Sequence, residues 1–382
     1  MQKSGPLHYT FLLPSGAFGG LEIQMINRAA DAIRNGESSL FVGRPGRRAA
    51  ERARSMGVPV KTLQIRTDYI ALVAAYRLGK MMKNTKSNVC IVAESNHLSL
   101  AILARRLVWP GVAIVFYQQL HSSRSKRDPF HNWVYRNLDG AVVLTRKLKN
   151  SLAERTVFPR DKIEVIPYGI DVDAFDPERH SKKENRRRFT LPEEGLLIGL
   201  VGRLEEAKGQ AIAIEAFAKA GILNSALVIC GSAQREGYLE ALKARAQELG
   251  VQDAVHFLQF TSEVPALMNA FDLSILPSRG ETFGLVVIEA MAAAIPVIGT
   301  DAEGVPEIID QERNGMLVPP GDVEALAKAM RHMAEDNGLR KRLGQQARQD
   351  TLERYNYETQ TEKFFAFCKT VYEARQKRLA RA

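Results

Sequence analysis

The feature that most constrains the fold is a pattern in which short apolar runs alternate with longer amphipathic segments, such as Leu21–Arg34 and Tyr69–Met82. The pattern occurs once in each half of the chain. Runs that are apolar throughout are typical of parallel strands covered by helices on both faces. We therefore predict an α/β protein with two Rossmann-like, doubly wound parallel sheets, whose ligands lie beyond the carboxyl ends of the strands in an interdomain cleft. The predicted strands are Tyr9–Leu13, Ser39–Val42, Val89–Ala93, Ala113–Tyr117, Ala141–Leu144 and Ile163–Ile166 in the first half, and Leu197–Val201, Leu227–Cys230, Val255–Leu258, Leu273–Leu276, Pro296–Gly299 and Met316–Val318 in the second.

The boundary between the two halves is predicted at Pro167–Asp171, because this turn-forming segment is followed by the charged stretch Arg179–Arg188. We place the first domain at residues 1–168 and the second at 169–362, with a last helix over 363–382. A length of 382 residues suits two domains of ordinary size.

Charge is divided unevenly along the sequence. Residues 1–170 hold 26 basic and 11 acidic side chains, residues 171–362 hold 21 and 31, and residues 363–382 hold six and one. A basic segment of this size is typical of proteins that bind nucleic acid, an anionic membrane surface or a phosphorylated substrate.

The three cysteines indicate the compartment. Cys90, Cys230 and Cys368 lie far apart and form no Cys-x-x-Cys pair, so neither a zinc site nor a disulfide framework is predicted. The amino terminus lacks an apolar run long enough for a signal peptide, and no segment reaches the roughly 20 apolar residues of a membrane span. We expect a cytoplasmic protein.

The segment with the clearest chemistry is Ser278–Met291, which joins a predicted strand to a predicted helix. Thr282 is the predicted N-cap, and such a loop presents unpaired amides to an anion. Glu281 and Glu289 stand eight positions apart, which puts them on nearly the same side if the helix begins early. An ordinary turn with one exposed glutamate is the alternative, but Glu289 falls among apolar residues, where a carboxylate without a partner is costly.

This segment resembles the signature of the retaining glycosyltransferases of family 4, which have the two-domain GT-B fold and include enzymes of lipopolysaccharide and cell-envelope synthesis. Other elements agree with the resemblance along nearly the whole chain. They are Gly202-Arg203-Leu204 with Lys208-Gly209, Gly304–Glu307, Asn314–Val318, Gly321-Asp322, the hinge Pro167–Asp171 and Gly19–Glu22. Three positions depart from the family pattern, namely Tyr168, Gly231–Ala233 and Ala302–Gly304.

The resemblance implies roles for residues of the second domain. Arg203 and Lys208, beside Gly202, would hold the donor diphosphate, where fixed cations stabilise the charge that grows on the leaving group. Glu289 would accept hydrogen bonds from the ribose hydroxyls, and Phe260 would lie at the nucleobase. Glu281, with the backbone of Thr282, Phe283, Gly284 and Leu285, would contact the transferred sugar and the distal phosphate.

In the first domain the resemblance implies that Gly19 and Gly20 allow the backbone to approach the donor and that His121 contacts the donor sugar. A structural turn would also explain the two glycines, and a histidine near a strand end is often structural. His97 is a weaker candidate for the same role. The pair Asp171 and Asp173 has the spacing of a metal-binding Asp-x-Asp but lies in the hinge, so we expect no metal site and no cofactor besides the donor.

The resemblance therefore implies a metal-independent, retaining hexosyltransferase that uses a nucleotide sugar, with UDP-glucose or a related UDP-sugar as the first choice. The expected acceptor is an anionic glycolipid, such as a lipopolysaccharide core, or a phosphorylated saccharide. A GDP-mannose-dependent mannosyltransferase, a nucleotide-sugar epimerase and a sugar phosphorylase remain alternatives. A basic RNA-binding protein is a further one, although no RRM-like or KH-like signature is present, and we expect no nucleic acid partner.

The family also implies that the first domain binds the acceptor and that the last helix packs back on it. Both segments are basic, so peripheral contact with an anionic membrane is expected. The clusters suggested for this contact are Lys80–Lys86, Arg105-Arg106 with Trp109, and Arg124–Arg127.

Overall fold

The computed structural model describes residues 5–65, 72–121 and 124–381. The chain divides into two compact units. The amino-terminal unit consists of residues 1–167 together with 360–382, and the carboxyl-terminal unit consists of residues 168–359. Each unit is built on its own parallel sheet with helices packed against it, which confirms the predicted fold class.

The amino-terminal unit has a seven-stranded parallel sheet in the order β3-β2-β1-β4-β5-β6-β7. All residues of β4, β5 and β6 are buried, as expected of strands covered on both faces. The strands are β1 His8–Leu13, β2 Ser38–Gly43, β3 Val60–Thr62, β4 Val89–Val92, β5 Ala113–Gln118, β6 Gly140–Val143 and β7 Ile163–Val165. The helices between them are α1 Gly20–Arg34, α2 Arg48–Ser55, α3 Leu72–Asn84, α4 Leu98–Leu107, α5 Pro129–Arg136 and α6 Arg146–Arg155. Of the predicted helix Tyr69–Met82, residues 69–71 lie outside the described residues.

The carboxyl-terminal unit has a six-stranded parallel sheet in the order β10-β9-β8-β11-β12-β13. Its core includes apolar side chains of β8, α8 and α12, among them Leu200, Phe217 and Met330. The strands are β8 Leu196–Val201, β9 Ser225–Cys230, β10 Val255–Leu258, β11 Leu273–Leu276, β12 Val297–Thr300 and β13 Met316–Val318. The helices are α7 Lys182–Arg188, α8 Gln210–Ala220, α9 Tyr238–Glu248, α10 Val264–Met268, α11 Leu285–Ala292, α12 Val323–Glu335 and α13 Asn337–Arg354.

The last helix, α14 Tyr357–Leu379, packs from Gln360 onward as part of the amino-terminal unit. Phe364 contacts Tyr117 of β5, with ring centroids 5.1 Å apart. The guanidinium of Arg28 in α1 lies 5.1 Å from the Phe364 ring and donates to the Thr361 hydroxyl. A buried arginine from the first helix therefore joins the last helix to the sheet.

One residue of the suggested surface clusters, Arg105, has a different role. Arg105 is only 6% exposed, and its guanidinium donates to Asp139 at 2.7 Å and to the carbonyl of Asn137. Arg106 is exposed and lies over the Trp133 ring. Arg105 is a structural residue and cannot face a membrane, because its guanidinium is buried in an ion pair with the carboxylate of Asp139. Within the described residues, no helix is both long enough and apolar enough to cross a bilayer.

Candidate functional site

The loop after β8 is pressed against the segment after β11. Gly209 has a left-handed backbone with φ of 73°, and a Cβ atom there would lie 2.1 Å from the carbonyl oxygen of Pro277. The Arg279 amide donates to the carbonyl of Ala207 at 2.9 Å, which fixes the two segments side by side. Since β8 and β11 are neighbours in the sheet, this contact brings Lys208 next to the residues that follow β11.

Lys208 and Glu281 form a bidentate ion pair. The Lys208 Nζ lies 2.6 Å from Glu281 Oε1 and 2.7 Å from Oε2, and about one fifth of each side chain is exposed. Two residues predicted for the site are therefore in direct contact, although they are 73 positions apart. Charge-assisted hydrogen bonds of this kind fix the direction of the ammonium group, which is left near the surface at the carboxyl edge of the sheet.

The turn into α11 differs from the prediction in one respect. Thr282 is not the N-cap; α11 begins at Leu285, and Gly284 precedes it with a left-handed φ of 98°. A glycine adopts this conformation without the strain that other residues incur, so the helix begins two residues later than it would with Thr282 as its N-cap. Consequently Glu281 lies in the loop, and the helical spacing argument does not apply to its position relative to Glu289.

The side chain of Phe283 is buried. Its ring contacts Tyr168 and Tyr355, with centroids 5.2 Å and 5.9 Å away, and the residue is 4% exposed. This aromatic cluster fixes the loop from beneath. Phe283 can therefore contribute to a ligand site only through its backbone, as predicted for this segment.

The loop after β12 supports the same turn from another side. The Gly304 amide donates to the carbonyl of Glu281 at 2.9 Å, and a Cβ on Gly304 would lie 2.2 Å from the carbonyl of Thr282. Only glycine fits this close approach of two backbones. The position of Glu281 is thus set by the segments after β8, β11 and β12.

Glu289 lies in the second turn of α11 between buried apolar residues and is itself partly buried. Loss of hydration raises the pKa of its carboxyl to about 7. No hydrogen-bond or ion-pair partner of this carboxyl is found in the part of the chain that the structure describes. It is therefore an unused acceptor, which is the property needed to bind sugar hydroxyls.

Arg203, Gly202 and Phe260 lie nearer the surface. Arg203 is 59% exposed and its Nη2 lies 2.8 Å from Glu205 Oε1. A Cβ on Gly202 would meet nothing within 4 Å, so neither packing nor backbone strain accounts for the glycine. Phe260 follows β10 and is 72% exposed. These residues follow strands of the same parallel sheet. Among the described residues predicted for the site, Lys208 and Glu281 are the pair whose side chains are in contact.

The candidates of the amino-terminal unit lie beside α1 and β5. Gly19 precedes α1, its amide donates to Glu22 Oε2 at 2.8 Å, and its φ of −160° is ordinary extended backbone. A Cβ on Gly20 would meet nothing within 4 Å. His121 follows β5, is exposed and lines a cavity of about 240 Å³. His97 is 5% exposed and lies 3.0 Å from Glu94.

The Asp-x-Asp pair at the hinge forms part of a turn, which the first aspartate stabilises. Asp171 Oδ1 accepts hydrogen bonds from the amides of Asp173 and Ala174 at 3.2 Å and 3.3 Å. This supports the structural interpretation of the motif. Sequence reasoning missed the roles of Tyr168 and Tyr355, because aromatic residues distant in sequence give no signal that they pack on one turn.

Comparisons with known proteins agree with this architecture. Residues 18–174 match the family model for Glycosyltransferase Family 4, and residues 181–350 match that for Glycosyl transferases group 1. A curated relative, D-inositol 3-phosphate glycosyltransferase of Corynebacterium jeikeium, is 34% identical over 222 residues, which cover 55% of this chain and 52% of the relative. The chain thus spans about half the length of the curated relatives that it matches.

Two solved structures are similar in fold over most of both chains. A glycosyltransferase from Rickettsia africae superposes with a TM-score of 0.88 at 20% identity, covering 96% of this chain and 99% of the other. Anabaena Alr3699/HepE in complex with UDP gives a TM-score of 0.83 at 20% identity, covering 95% of this chain and 100% of the other.

Proposed function

We propose that this chain, which belongs to the family 4 and group 1 glycosyltransferases and has their GT-B fold, transfers a hexose from a UDP-sugar to an acceptor hydroxyl. The acceptor that we propose is a cell-envelope glycolipid such as a lipopolysaccharide core. The observation that carries the proposal is the Lys208–Glu281 ion pair at the carboxyl edge of the second sheet, close in sequence to the unpartnered carboxylate of Glu289.

The donor diphosphate is the group that these residues suit best. Cleavage of the bond between the sugar and the diphosphate leaves negative charge on the leaving oxygen, and fixed cations stabilise that charge without reorganising. Lys208 has one N–H left after donating to both oxygens of Glu281. In our proposal Lys208 and Arg203 supply the positive charge, so that no metal ion is required.

Glu281 and Glu289 have separate roles in this proposal. Glu281 orients Lys208 and contacts the transferred sugar, together with the backbone from Thr282 to Leu285. Glu289 accepts hydrogen bonds from the ribose. The exposed Phe260 ring offers a flat apolar surface to the nucleobase. That a protein of this fold has been solved with UDP supports UDP as the donor nucleotide.

We infer that transfer proceeds with retention of configuration. The bond from the anomeric carbon to the donor phosphate breaks, and the acceptor oxygen forms its bond to that carbon on the same face. The acceptor proton passes to the departing diphosphate oxygen, so no protein nucleophile is needed. This step follows from the family resemblance.

The test is a donor screen followed by mutation of the ion pair. The chain is incubated with UDP-glucose, UDP-galactose and GDP-mannose together with cell-envelope glycolipid, and released nucleotide and new glycosidic bonds are both measured. We expect UDP release coupled to transfer, which distinguishes a transferase from an epimerase or a phosphorylase. K208A and E281A are each expected to lower kcat by at least a hundredfold, as for the loss of a group acting on the transition state.

A surface ion pair of the same unit provides the control. Lys219 contacts Glu324 with about half or more of each side chain exposed, so K219A and E324A should leave kcat unchanged. Near-normal turnover in K208A and E281A, or GDP-mannose as the preferred donor, would contradict the proposal.

A further inference from the structure

The cavity of about 240 Å³ in the amino-terminal unit lies beyond the carboxyl ends of β4 and β5. Leu21, which follows Gly20, and His121 both line it. The cavity is therefore next to the residues of this unit that were predicted to contact the donor. Its volume is below the roughly 300–1,000 Å³ of pockets for drug-sized ligands, so it suits a single sugar or polyol unit.

Three cationic side chains line this cavity, namely Arg124, Lys126 and Arg155, against one carboxylate, Glu94. Glu94 Oε2 lies 3.0 Å from Nδ1 of the buried His97. The Lys126 amide donates to the carbonyl of Arg155 at 2.8 Å, which holds these two residues side by side. The lining thus has an excess of positive charge at one wall.

Lys126 is held in place and partly dehydrated. Its Nζ donates to the Ser95 hydroxyl at 2.6 Å, and burial lowers the pKa of its ammonium group. An ammonium has three N–H donors, and no carboxylate within the described residues contacts this one. A dehydrated cation that lacks a counter-charge gains most from binding an anion.

The cavity also contains a buried acceptor. Gln118 is 5% exposed and its Nε2 donates to the carbonyl of Leu120 at 3.0 Å, whereas its Oε1 has no hydrogen-bond partner among the residues that the structure describes. Buried polar atoms are nearly always hydrogen-bonded. A ligand hydroxyl would satisfy Oε1, so the cavity provides for both an anionic group and a hydroxyl.

We propose that this cavity binds a phosphate monoester carried on a sugar or polyol, with the phosphate at Arg124, Lys126 and Arg155 and a hydroxyl at Gln118 Oε1. This inference rests on the proposed function, because it takes the ligand to be the acceptor or its phosphorylated portion. It names the chemical class of the acceptor, which is not part of the donor chemistry of the other unit.

Calorimetry on the full chain tests the site with glucose 6-phosphate, glucose and inorganic phosphate. We expect glucose 6-phosphate to bind at least tenfold more tightly than either of the other two, because it uses both parts of the cavity. R124Q and K126Q should each weaken glucose 6-phosphate binding at least tenfold. Q118L should weaken glucose 6-phosphate binding but leave that of inorganic phosphate unchanged.

Arg136 and Lys147 provide matched controls, since both are exposed in the same unit and neither lines the cavity. R136Q and K147Q should leave the Kd for glucose 6-phosphate unchanged. An equal loss of glucose 6-phosphate affinity in the control variants, or no loss in R124Q and K126Q, would overturn the assignment of this site. Circular dichroism melting of each variant establishes that folding is retained.

Calorimetry with UDP separates this inference from the proposed function. If UDP binds and glucose 6-phosphate does not, the phosphate site is wrong and the donor site stands. If glucose 6-phosphate binds and UDP does not, the transferase proposal fails while the cavity assignment stands.

Vesicles of phosphatidylcholine with monophosphoryl lipid A distinguish a lipid-linked phosphate from a soluble one. Displacement of the chain from these vesicles by glucose 6-phosphate would assign the lipid headgroup to the cavity. Vesicle binding that glucose 6-phosphate leaves unchanged, in a chain that binds glucose 6-phosphate, would assign the soluble sugar phosphate.

Discussion

The loop after β8 contains two glycines, Gly202 and Gly209, whose surroundings differ. Gly209 has φ of 73° and a carbonyl oxygen 2.1 Å from where its Cβ would be, whereas Gly202 has open space around it. The first is therefore required by the fold. For the second we predict that a ligand approaches the backbone, and the same prediction applies to Gly20, where a Cβ would also meet nothing within 4 Å.

The variants G209A and G202A separate these roles. G209A should destabilise the carboxyl-terminal unit by about 2 kcal/mol or more, because a left-handed alanine alone costs roughly 1–2 kcal/mol and the clash adds to it. G202A should leave the free energy of unfolding unchanged but weaken UDP binding. Differential scanning calorimetry and UDP titration measure both, and a stable G209A or a destabilised G202A would contradict the assignment.

The carboxyl of Glu289 gives donor binding a pH dependence. Its pKa of about 7 means that the group ionises across the neutral range, and only the carboxylate offers all its lone pairs to ribose hydroxyls. Affinity for UDP-glucose should therefore rise by up to about tenfold from pH 6 to pH 8. UDP-glucose is the right probe because its diphosphate does not titrate in this range.

E289Q is the comparison for this pH effect. Glutamine keeps the size of the side chain and one acceptor but does not ionise, so its affinity for UDP-glucose should be weak and independent of pH. A profile for E289Q as steep as that of the natural chain would show that another group is titrating. Fluorescence or calorimetric titration at each pH gives the Kd values.

At the scale of single residues, the sequence predicted which side chains belong to the candidate site but not how they contact one another. Lys208 and Glu281 were both identified, yet their ion pair depends on the approach of Gly209 to Pro277, which no local pattern encodes. Thr282 was wrongly expected to cap α11, because cap preference is a local rule and the left-handed Gly284 overrides it. The unpartnered Gln118 Oε1 could not be foreseen, since burial of one atom depends on the whole cavity.

Among the secondary-structure elements, the predicted bounds of β10, β11 and β13 match the structure to the residue, and those of β4 and β5 differ from it by one residue at the carboxyl end. These runs are largely or wholly apolar, which is the pattern that predicts a strand. The short β3, Val60–Thr62, was missed because it is partly exposed and contains Lys61. It lies at the edge of the sheet beside β2 alone, where burial is too small to select an apolar run.

The last helix is attached to the amino-terminal unit by a buried carboxylate. Asp139 Oδ1 accepts from Arg375 at 3.3 Å and Arg378 at 2.8 Å of α14, while Oδ2 accepts from Arg105 and the Ile114 amide. Removal of one partner from a buried ionic network costs about 3–5 kcal/mol, because the remaining charges lose their counter-charge.

D139N should therefore destabilise the amino-terminal unit by about 3 kcal/mol. Tryptophan fluorescence during urea unfolding measures this unit selectively, because the chain has two tryptophans and both, Trp109 and Trp133, belong to it. D161N is the matched control, since Asp161 is exposed. A midpoint for D139N equal to that of D161N would refute the role of the carboxylate.

Over the whole molecule, the two units carry opposite net charge. The amino-terminal unit has 32 basic and 13 acidic residues, and the carboxyl-terminal unit has 21 and 30. The overall net charge of +10 therefore conceals a strongly basic unit and an acidic one. This charge asymmetry could be predicted from the sequence, because it requires only a count of charged residues along the chain. The structure adds the basic helix α14 to the amino-terminal unit, which increases the difference in net charge between the two units.

One helix of the basic unit combines exposed lysines with exposed apolar residues. Leu72, Val73 and Tyr76 at the start of α3 are 58%, 68% and 49% exposed. Lys80 Nζ lies 4.9 Å from the centre of the Tyr76 ring, and Lys83 follows one turn later on the same helix. Apolar and aromatic side chains beside lysines are typical of helices that rest on an anionic membrane surface.

We therefore expect the chain to sediment with phosphatidylglycerol-containing vesicles more strongly than with neutral phosphatidylcholine vesicles, and less strongly as salt increases. Each lysine near such a surface contributes about 1 kcal/mol, so the triple variant K80Q/K83Q/K86Q should weaken binding by up to about a hundredfold. The variant K243Q/K328Q/K341Q removes the same charge from exposed positions of the acidic unit. Both variants reduce the net charge equally. A loss of binding confined to the first variant therefore identifies α3 and the turn after it, which carries Lys86, as the contact. Equal losses would show that the attraction depends only on total charge.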